Sequence, residues 1–144
     1  ASSAMNKLVE SGLDVLIPTL KQPVLGICLG MQLMCASSEE GTTKGLSIFP
    51  SEVLRFSNKV KVLQMGWNTI SKLRSPFFKG ILEDSFMYLV HSYYVPLNEF
   101  AIAETTYDKK YASAMQKDNF YGVQFHPEKS GAVGEGILKN FMEI

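Results

Sequence analysis

Cys28, His126 and Glu128 are the residue types that thiol-based acyl transfer requires. A cysteine nucleophile needs a base to take its proton, and the base needs a carboxylate to orient its ring. Cys28 lies within Pro23-Val24-Leu25-Gly26-Ile27-Cys28-Leu29-Gly30-Met31-Gln32-Leu33-Met34. The apolar run after Pro23 reads as a buried parallel strand. Leu29, Gln32, Leu33 and Ala36 then recur at helical spacing, which predicts a helix from Leu29 to Ala36. A reactive side chain between small residues at a sharp strand-to-helix turn is a nucleophile elbow, because bulk on either side clashes at the bend. The helix N-terminus behind it favours the thiolate. The plainer alternative is a structural cysteine buried at a tight turn.

Gly122-Val123-Gln124-Phe125-His126-Pro127-Glu128-Lys129-Ser130 carries the second chemical signal. His126 falls at a strand end, Pro127 fixes the backbone beyond it, and Glu128 can turn back onto the imidazole. A histidine alone reads more readily as a satisfied core or surface residue. His-Pro-Glu at a strand end, below a cysteine elbow, reverses that preference. The order nucleophile, base, adjacent orienter is not that of the α/β hydrolases.

Other elements must bring these two stretches together. Ser2 or Ser3 is placed to cap a first helix running to Glu10, with Gly12 as its stop. Leu13 to Gln22 reads as a second short helix. Ser37 to Gly45 is polar and turn-rich, a candidate functional loop. Leu46–Phe49, Glu52–Phe56 and Lys61–Met65 read as short strands, with a break at Pro50-Ser51 and Gly66-Trp67-Asn68 closing the set. Ser75 to Leu82 reads as a loop or short helix, and Ser85–Val95 and Phe100–Tyr107 as strands. Tyr111–Gln116 and Phe120–Phe125 form a hairpin across Lys117-Asp118-Asn119. Gly131 to Glu143 closes the chain as a helix whose start Gly134 and Gly136 weaken.

The chain has 144 residues, 46% hydrophobic and 19% charged, which fits one domain able to bury a core without disulfides or metals. Fourteen basic residues balance fourteen acidic ones, so no bulk field recruits nucleic acid or anionic membrane. No apolar run approaches the roughly 20 residues that span a bilayer. Cys28 and Cys35, if both on the elbow helix, are too far apart to bridge, and reduced thiols point to a cytoplasmic protein. A doubly wound fold normally sets a strand before a helix like the first, so the sequence points to an absent leading strand.

Gly26-Ile27-Cys28-Leu29-Gly30-Met31-Gln32 and Gln124-Phe125-His126-Pro127-Glu128 resemble the two signatures of class I (triad) glutamine amidotransferases. Met31, Gln64-Met65-Gly66-Trp67-Asn68, His91-Ser92-Tyr93-Tyr94 and Lys129-Ser130 extend the resemblance along the whole chain. They point to the glutaminase subunits of imidazole glycerol phosphate synthase. The implied fold is α/β, a mixed, mostly parallel sheet flanked by helices in a flavodoxin-like three-layer arrangement, as one domain over 1–144 incomplete at its start.

The resemblance implies that Cys28 is the nucleophile, His126 the base and then acid, and Glu128 the orienter. The Leu29 N–H is implied as an oxyanion donor; the family's other donor comes from a Pro-Gly-Val-Gly-type loop that this sequence does not contain. Gln32 is implied to bind the substrate glutamine and Glu40, with Glu39 as the adjacent alternative, to hold its α-ammonium. Ser92 and Tyr93, beside His91, are implied to cradle its α-carboxylate. Trp67, Asn68 and Lys129 are implied to dock a (β/α)8-barrel cyclase, which receives ammonia and makes imidazole glycerol phosphate and aminoimidazole carboxamide ribotide. No cofactor or metal is implied. An amidotransferase for another acceptor and a non-catalytic partner-binding subunit stay open as other classes of reading.

Overall fold

The computed structural model describes residues 1–144. In chain order the elements begin with α1 (Ser2–Ser11), α2 (Leu13–Leu16) with a 3-10 turn at Ile17–Thr19, β1 (Val24–Ile27), α3 (Leu29–Leu33) and β2 (Cys35–Ser38). After a 3-10 turn at Glu40–Thr42 come β3 (Thr43–Lys44), β4 (Phe49–Arg55) and β5 (Gln64–Ile70), then a 3-10 turn at Pro76–Phe78. The chain finishes with β6 (Ser85–His91), β7 (Tyr93–Pro96), β8 (Ala101–Tyr107), β9 (Lys109–Lys117), β10 (Phe120–Val123), a 3-10 turn at Pro127–Lys129 and α4 (Gly131–Met142).

The larger sheet runs β1-β10-β9-β7-β4-β2-β3, with β8 also paired to β9, and β5 and β6 form a separate ribbon. The expected α/β class with a mixed sheet stands. Its parallel ladders, however, are β1–β10 and β2–β4 alone. The hairpins β8–β9–β10 and the β5–β6 ribbon make the rest antiparallel, because two-residue turns such as Asp118-Asn119 cannot link parallel strands.

Several local expectations change for identifiable reasons. No side chain caps α1, whose N-cap is Ala1, although Gly12 ends it as expected at φ 77° with its N–H on the Leu8 and Val9 carbonyls. Helix α3 stops at Leu33 rather than Ala36. The following chain takes the carbonyls a longer helix would have used: Leu46 N–H bonds Leu33 O, Ile48 and Phe49 bond Met34 O, and Ser47 bonds Cys35 O. Cys35 therefore opens β2 in the core instead of riding the elbow helix.

Leu46–Ile48 is not a strand, and β4 runs through Pro50-Ser51 because a bulge between Cys35 and Ser37 of β2 absorbs them. Gly66-Trp67-Asn68 lies in the middle of β5, in antiparallel register with Leu89, Tyr88 and Met87, and does not end the strands. The run Ser85–Val95 divides at Ser92, where β6 leaves the ribbon and β7 enters the larger sheet.

Strand β10 is buried on both faces, and its alternation divides the core. Tyr121, Val123 and Phe125 pack with Ile70, Phe77, Leu89 and Ile137 of α4. Phe120 packs with Met31, Cys35, Phe49 and Met115 on the other side. Helix α3 lies directly against the sheet, for a Cβ on Gly122 would meet Met31 Cγ at 2.5 Å. That contact seats the elbow.

Candidate active site

The elbow forms because β1 and β10 run parallel in register to Ile27–Val123, and the Cys28 N–H continues the ladder onto Val123 O at 2.7 Å. Cys28 then turns at φ 54°, ψ −107°, a conformation costly for a side-chain-bearing residue and typical of functional turns. The two flanking glycines are not equivalent. A Cβ on Gly26 would lie 2.8 Å from the Gly30 carbonyl carbon, whereas one on Gly30 meets nothing within 4 Å. Bulk is excluded on the strand side only.

Three residues past Val123, the second constellation rises from the neighbouring strand. His126 N–H bonds Tyr88 O at 2.9 Å, and Ser130 Oγ donates to His126 O at 2.6 Å and accepts from Tyr88 N–H at 3.0 Å. His126 Nδ1 pairs with Glu128 Oε2 at 2.8 Å. That bond commits Nδ1 and leaves Nε2 for chemistry. No direct hydrogen bond joins His126 to Cys28; looser contacts are normal at such sites before substrate binds.

Cys28 Sγ lies 3.7 Å from Val90 O and 3.6 Å from Gln124 Nε2. Burial raises its pKa above the ordinary thiol value, against the Leu29 N–H and Gln124, which lower it; Glu128 adds to the rise and Lys129 opposes it. The expected helix-terminus effect is thus outweighed: α3 has five residues, and desolvation dominates. Cys35, buried beneath with Sγ on Met31 O at 3.6 Å, is pushed to about 12.

Cys28 opens into a cavity of about 220 Å³ lined by Leu29, Gln32, Glu40, Ser92 and Tyr93, with Val90 and His91 completing the wall. All five residues expected to contact substrate therefore share one cavity with the thiol. Glu40 faces it, while Glu39 is exposed and lines a larger polar cleft with Ser37, Thr43 and Glu52. That cleft, about 530 Å³, contains no thiol or imidazole, so the chemistry belongs to the smaller cavity. Gln32 is buried and its Nε2 is engaged by Tyr93 O and Gln124 Oε1, a firmer attachment than a solvated helix glutamine has.

The expected docking residues sit apart from the cavity. Trp67 is 56% exposed on the outer face of the ribbon with Met65 and Phe86, and its ring meets Tyr88 edge-on at 5.8 Å. Asn68 is less free than a loop residue, since Nδ2 donates to Thr106 O at 2.9 Å. Lys129 is exposed in the turn after His126. Tyr88 connects the two groups: its ring meets Trp67 and its backbone holds His126 and Ser130.

Sequence reasoning quoted Gln64 and His91 within family-like stretches, yet joined neither to the polar network beneath. His91 Nδ1–H donates to Tyr93 O at 2.7 Å, and Nε2 faces the Gln64 carboxamide at 2.9 Å and the Tyr111 hydroxyl at 3.2 Å.

Burial holds the His91 pKa at about 4, with the Tyr93 carbonyl opposing and His126 adding to the depression. Between pH 6.5 and about 4 the unfolded state therefore binds the extra proton, and stability rises with pH. The contribution is complete above pH 6.5, is lost on acidification to about 4, and amounts to about 3 kcal/mol. Urea melts at about pH 7 and about pH 4.5 should show this loss, and His91→Gln should flatten it. An equal slope in the variant would assign the acid sensitivity elsewhere.

The family model described as Glutamine amidotransferase class-I matches residues 11–144. The chain is 57% identical over 147 residues to an imidazole glycerol phosphate synthase subunit HisH from Bacteroides fragilis, covering all of this chain and 75% of that protein. It is 47% identical over 152 residues to the subunit of the same name from Photorhabdus laumondii, covering all of this chain and 76% of that protein. Among solved structures, a glutamine amidotransferase from Thermotoga maritima superposes with a TM-score of 0.58 at 24% identity, over 94% of this chain and 51% of that one, a likeness of fold. A model match over nearly the whole length, with relatives this similar from end to end, means that the chain belongs to the class I glutamine amidotransferases, on the branch of the imidazole glycerol phosphate synthase subunit.

Proposed function

We propose that the chain hydrolyses L-glutamine to glutamate and ammonia through Cys28, His126 and Glu128, and passes the ammonia to a (β/α)8-barrel cyclase. The observation that carries this reading is the His126–Glu128 pair at 2.8 Å, anchored on the strand adjacent to the one that ends in Cys28. His126 Nε2 takes the Cys28 proton, and the thiolate attacks the substrate carboxamide carbon. The Leu29 N–H stabilises the oxyanion. Collapse breaks the C–N bond as His126 returns the proton to the leaving ammonia, leaving a γ-glutamyl thioester. Water, deprotonated by His126, then releases glutamate and the thiol. Gln32, Glu40, Ser92 and Tyr93 hold the amino-acid end of the substrate.

The exposed face of Met65, Trp67 and Phe86 supports a docking role, because exposed aromatic residues of this kind anchor interfaces, and the family resemblance adds Asn68 and Lys129 to it. The cyclase uses the ammonia to form imidazole glycerol phosphate and aminoimidazole carboxamide ribotide. No helix is long and apolar enough to cross a membrane. The two free thiols favour a cytoplasmic setting.

The deciding experiment is labelling with an electrophilic glutamine analogue, partner and its ligand present, followed by peptide mapping. The expected adduct lies on the Cys28 peptide and not on that of Cys35; no adduct on the assembled complex overturns the reading. Trp67→Ala should weaken partner binding by about 2 kcal/mol, about 30-fold, in calorimetric titration while leaving the fold intact. Unchanged affinity would move the interface off the ribbon.

A further inference from the structure

Gln124 is fully buried two residues before His126, and the mechanism above gives it no part. It is also the only side chain hydrogen-bonded to the Cys28 sulfur. Its orientation is dictated from a distance. The Tyr93 carbonyl can only accept, and it receives an N–H from Gln32 at 3.1 Å as well as one from His91 at 2.7 Å. The Gln32 atom at that carbonyl is therefore nitrogen. The same nitrogen lies 2.9 Å from the Gln124 carboxamide, so the atom facing it is oxygen. The Gln124 amide nitrogen is left pointing at the sulfur. One backbone carbonyl, acting through two carboxamides, fixes the polarity presented to the thiol.

The opposite neighbour has the opposite preference. Val90 O, 3.7 Å from the sulfur, accepts from an S–H and repels a thiolate. An N–H bonds a thiolate more strongly than a thiol. Deprotonation thus shifts the sulfur from the Val90 carbonyl toward Gln124 and Leu29.

We propose that Gln124 is a positioning residue that donates an N–H to the Cys28 sulfur and, once His126 takes the proton, steadies the thiolate facing the substrate cavity. The proposal rests on the glutaminase reading only in naming the thiolate as the working form. Burial and Glu128 oppose that form at this site, Lys129 and the Leu29 N–H favour it, and His126 stands by to take the proton.

The test is the pH profile of Cys28 alkylation by iodoacetamide on the full chain, read by mass on the Cys28 peptide, for the parent, Gln124→Met and Gln124→Glu. Methionine keeps the length and removes both hydrogen bonds. Glutamate keeps an oxygen for Gln32 and sets a second carboxylate oxygen, with its charge, where the N–H faced the sulfur. The alkylation midpoint should rise by about one pH unit in Gln124→Met and by more than that in Gln124→Glu, where the charge adds to the loss of the N–H. The rate near neutrality should fall about threefold in Gln124→Met, the tenfold loss of thiolate being partly offset by its greater nucleophilicity.

Near-UV circular dichroism confirms the fold, and if one variant does not fold the other decides. Midpoints equal to the parent's overturn the proposal. A rise in Gln124→Met alone also overturns it, since the effect would then pass through Gln32. The assay needs neither glutamine nor partner, so a failure of the complex to release glutamate would sink the proposed function and leave these midpoints to judge Gln124.

Discussion

Cys28→Ser should reduce glutamine hydrolysis by the chain in complex with its partner by about 10³-fold or more, while synthesis from added ammonia continues. Serine keeps the shape of the elbow, whose φ of 54° is a backbone property. It replaces a thiol that His126 can deprotonate by a hydroxyl that it scarcely can. The environment amplifies the difference, because burial already disfavours the anion at this position. The measurement is glutamate release beside product formation from ammonium. Retained hydrolysis would dismiss Cys28 as nucleophile, and loss of both activities would dismiss the division of labour.

Gly134→Ala should destabilise the chain by about 3 kcal/mol and depress hydrolysis as well. Helix propensity alone predicts a gain of about 0.5–1 kcal/mol from this change. The packing decides otherwise, since a Cβ there would lie 2.0 Å from Pro127 O and 2.9 Å from Ser130 Cβ. Relief requires moving the turn that carries Glu128 and positions His126. Gly136 is the control: its Cβ would meet only Ile81 Cδ1, at 3.4 Å, so Gly136→Ala should gain stability. Thermal melts of the two variants should move in opposite directions, Gly134→Ala falling by about 10 °C. Equal shifts would mean that α4 is free to adjust.

These two glycines show what was legible in the sequence. Both read as defects in a helix, because propensity is local, and only the approach of Pro127 distinguishes them. Cys28, His126 and Glu128 were readable because their chemistry and strand-end positions are themselves local. The five residues expected to contact substrate were readable only through resemblance, and the structure lines one cavity with them. Trp67 was misplaced: Gly66 and Asn68 suggest a loop by turn preference, yet full pairing with β6 keeps them in a strand. The end of α3 was misjudged for a similar reason, since the carbonyls of Leu33 and Met34 are claimed by residues beyond the next turn. Gln124 escaped notice because the polarity of its carboxamide depends on Tyr93, a residue on a different strand.

Cys35 carries a practical consequence. It has no exposed surface, and its thiol resists ionisation up to about 12, whereas Cys28 opens into a cavity. A mild aromatic disulfide reagent should therefore count one sulfur in the native chain and two once the core has opened. The pair acts as an internal gauge: the fast equivalent reports the integrity of the elbow, and the slow one reports how often β2 parts from β4, in a single colorimetric trace.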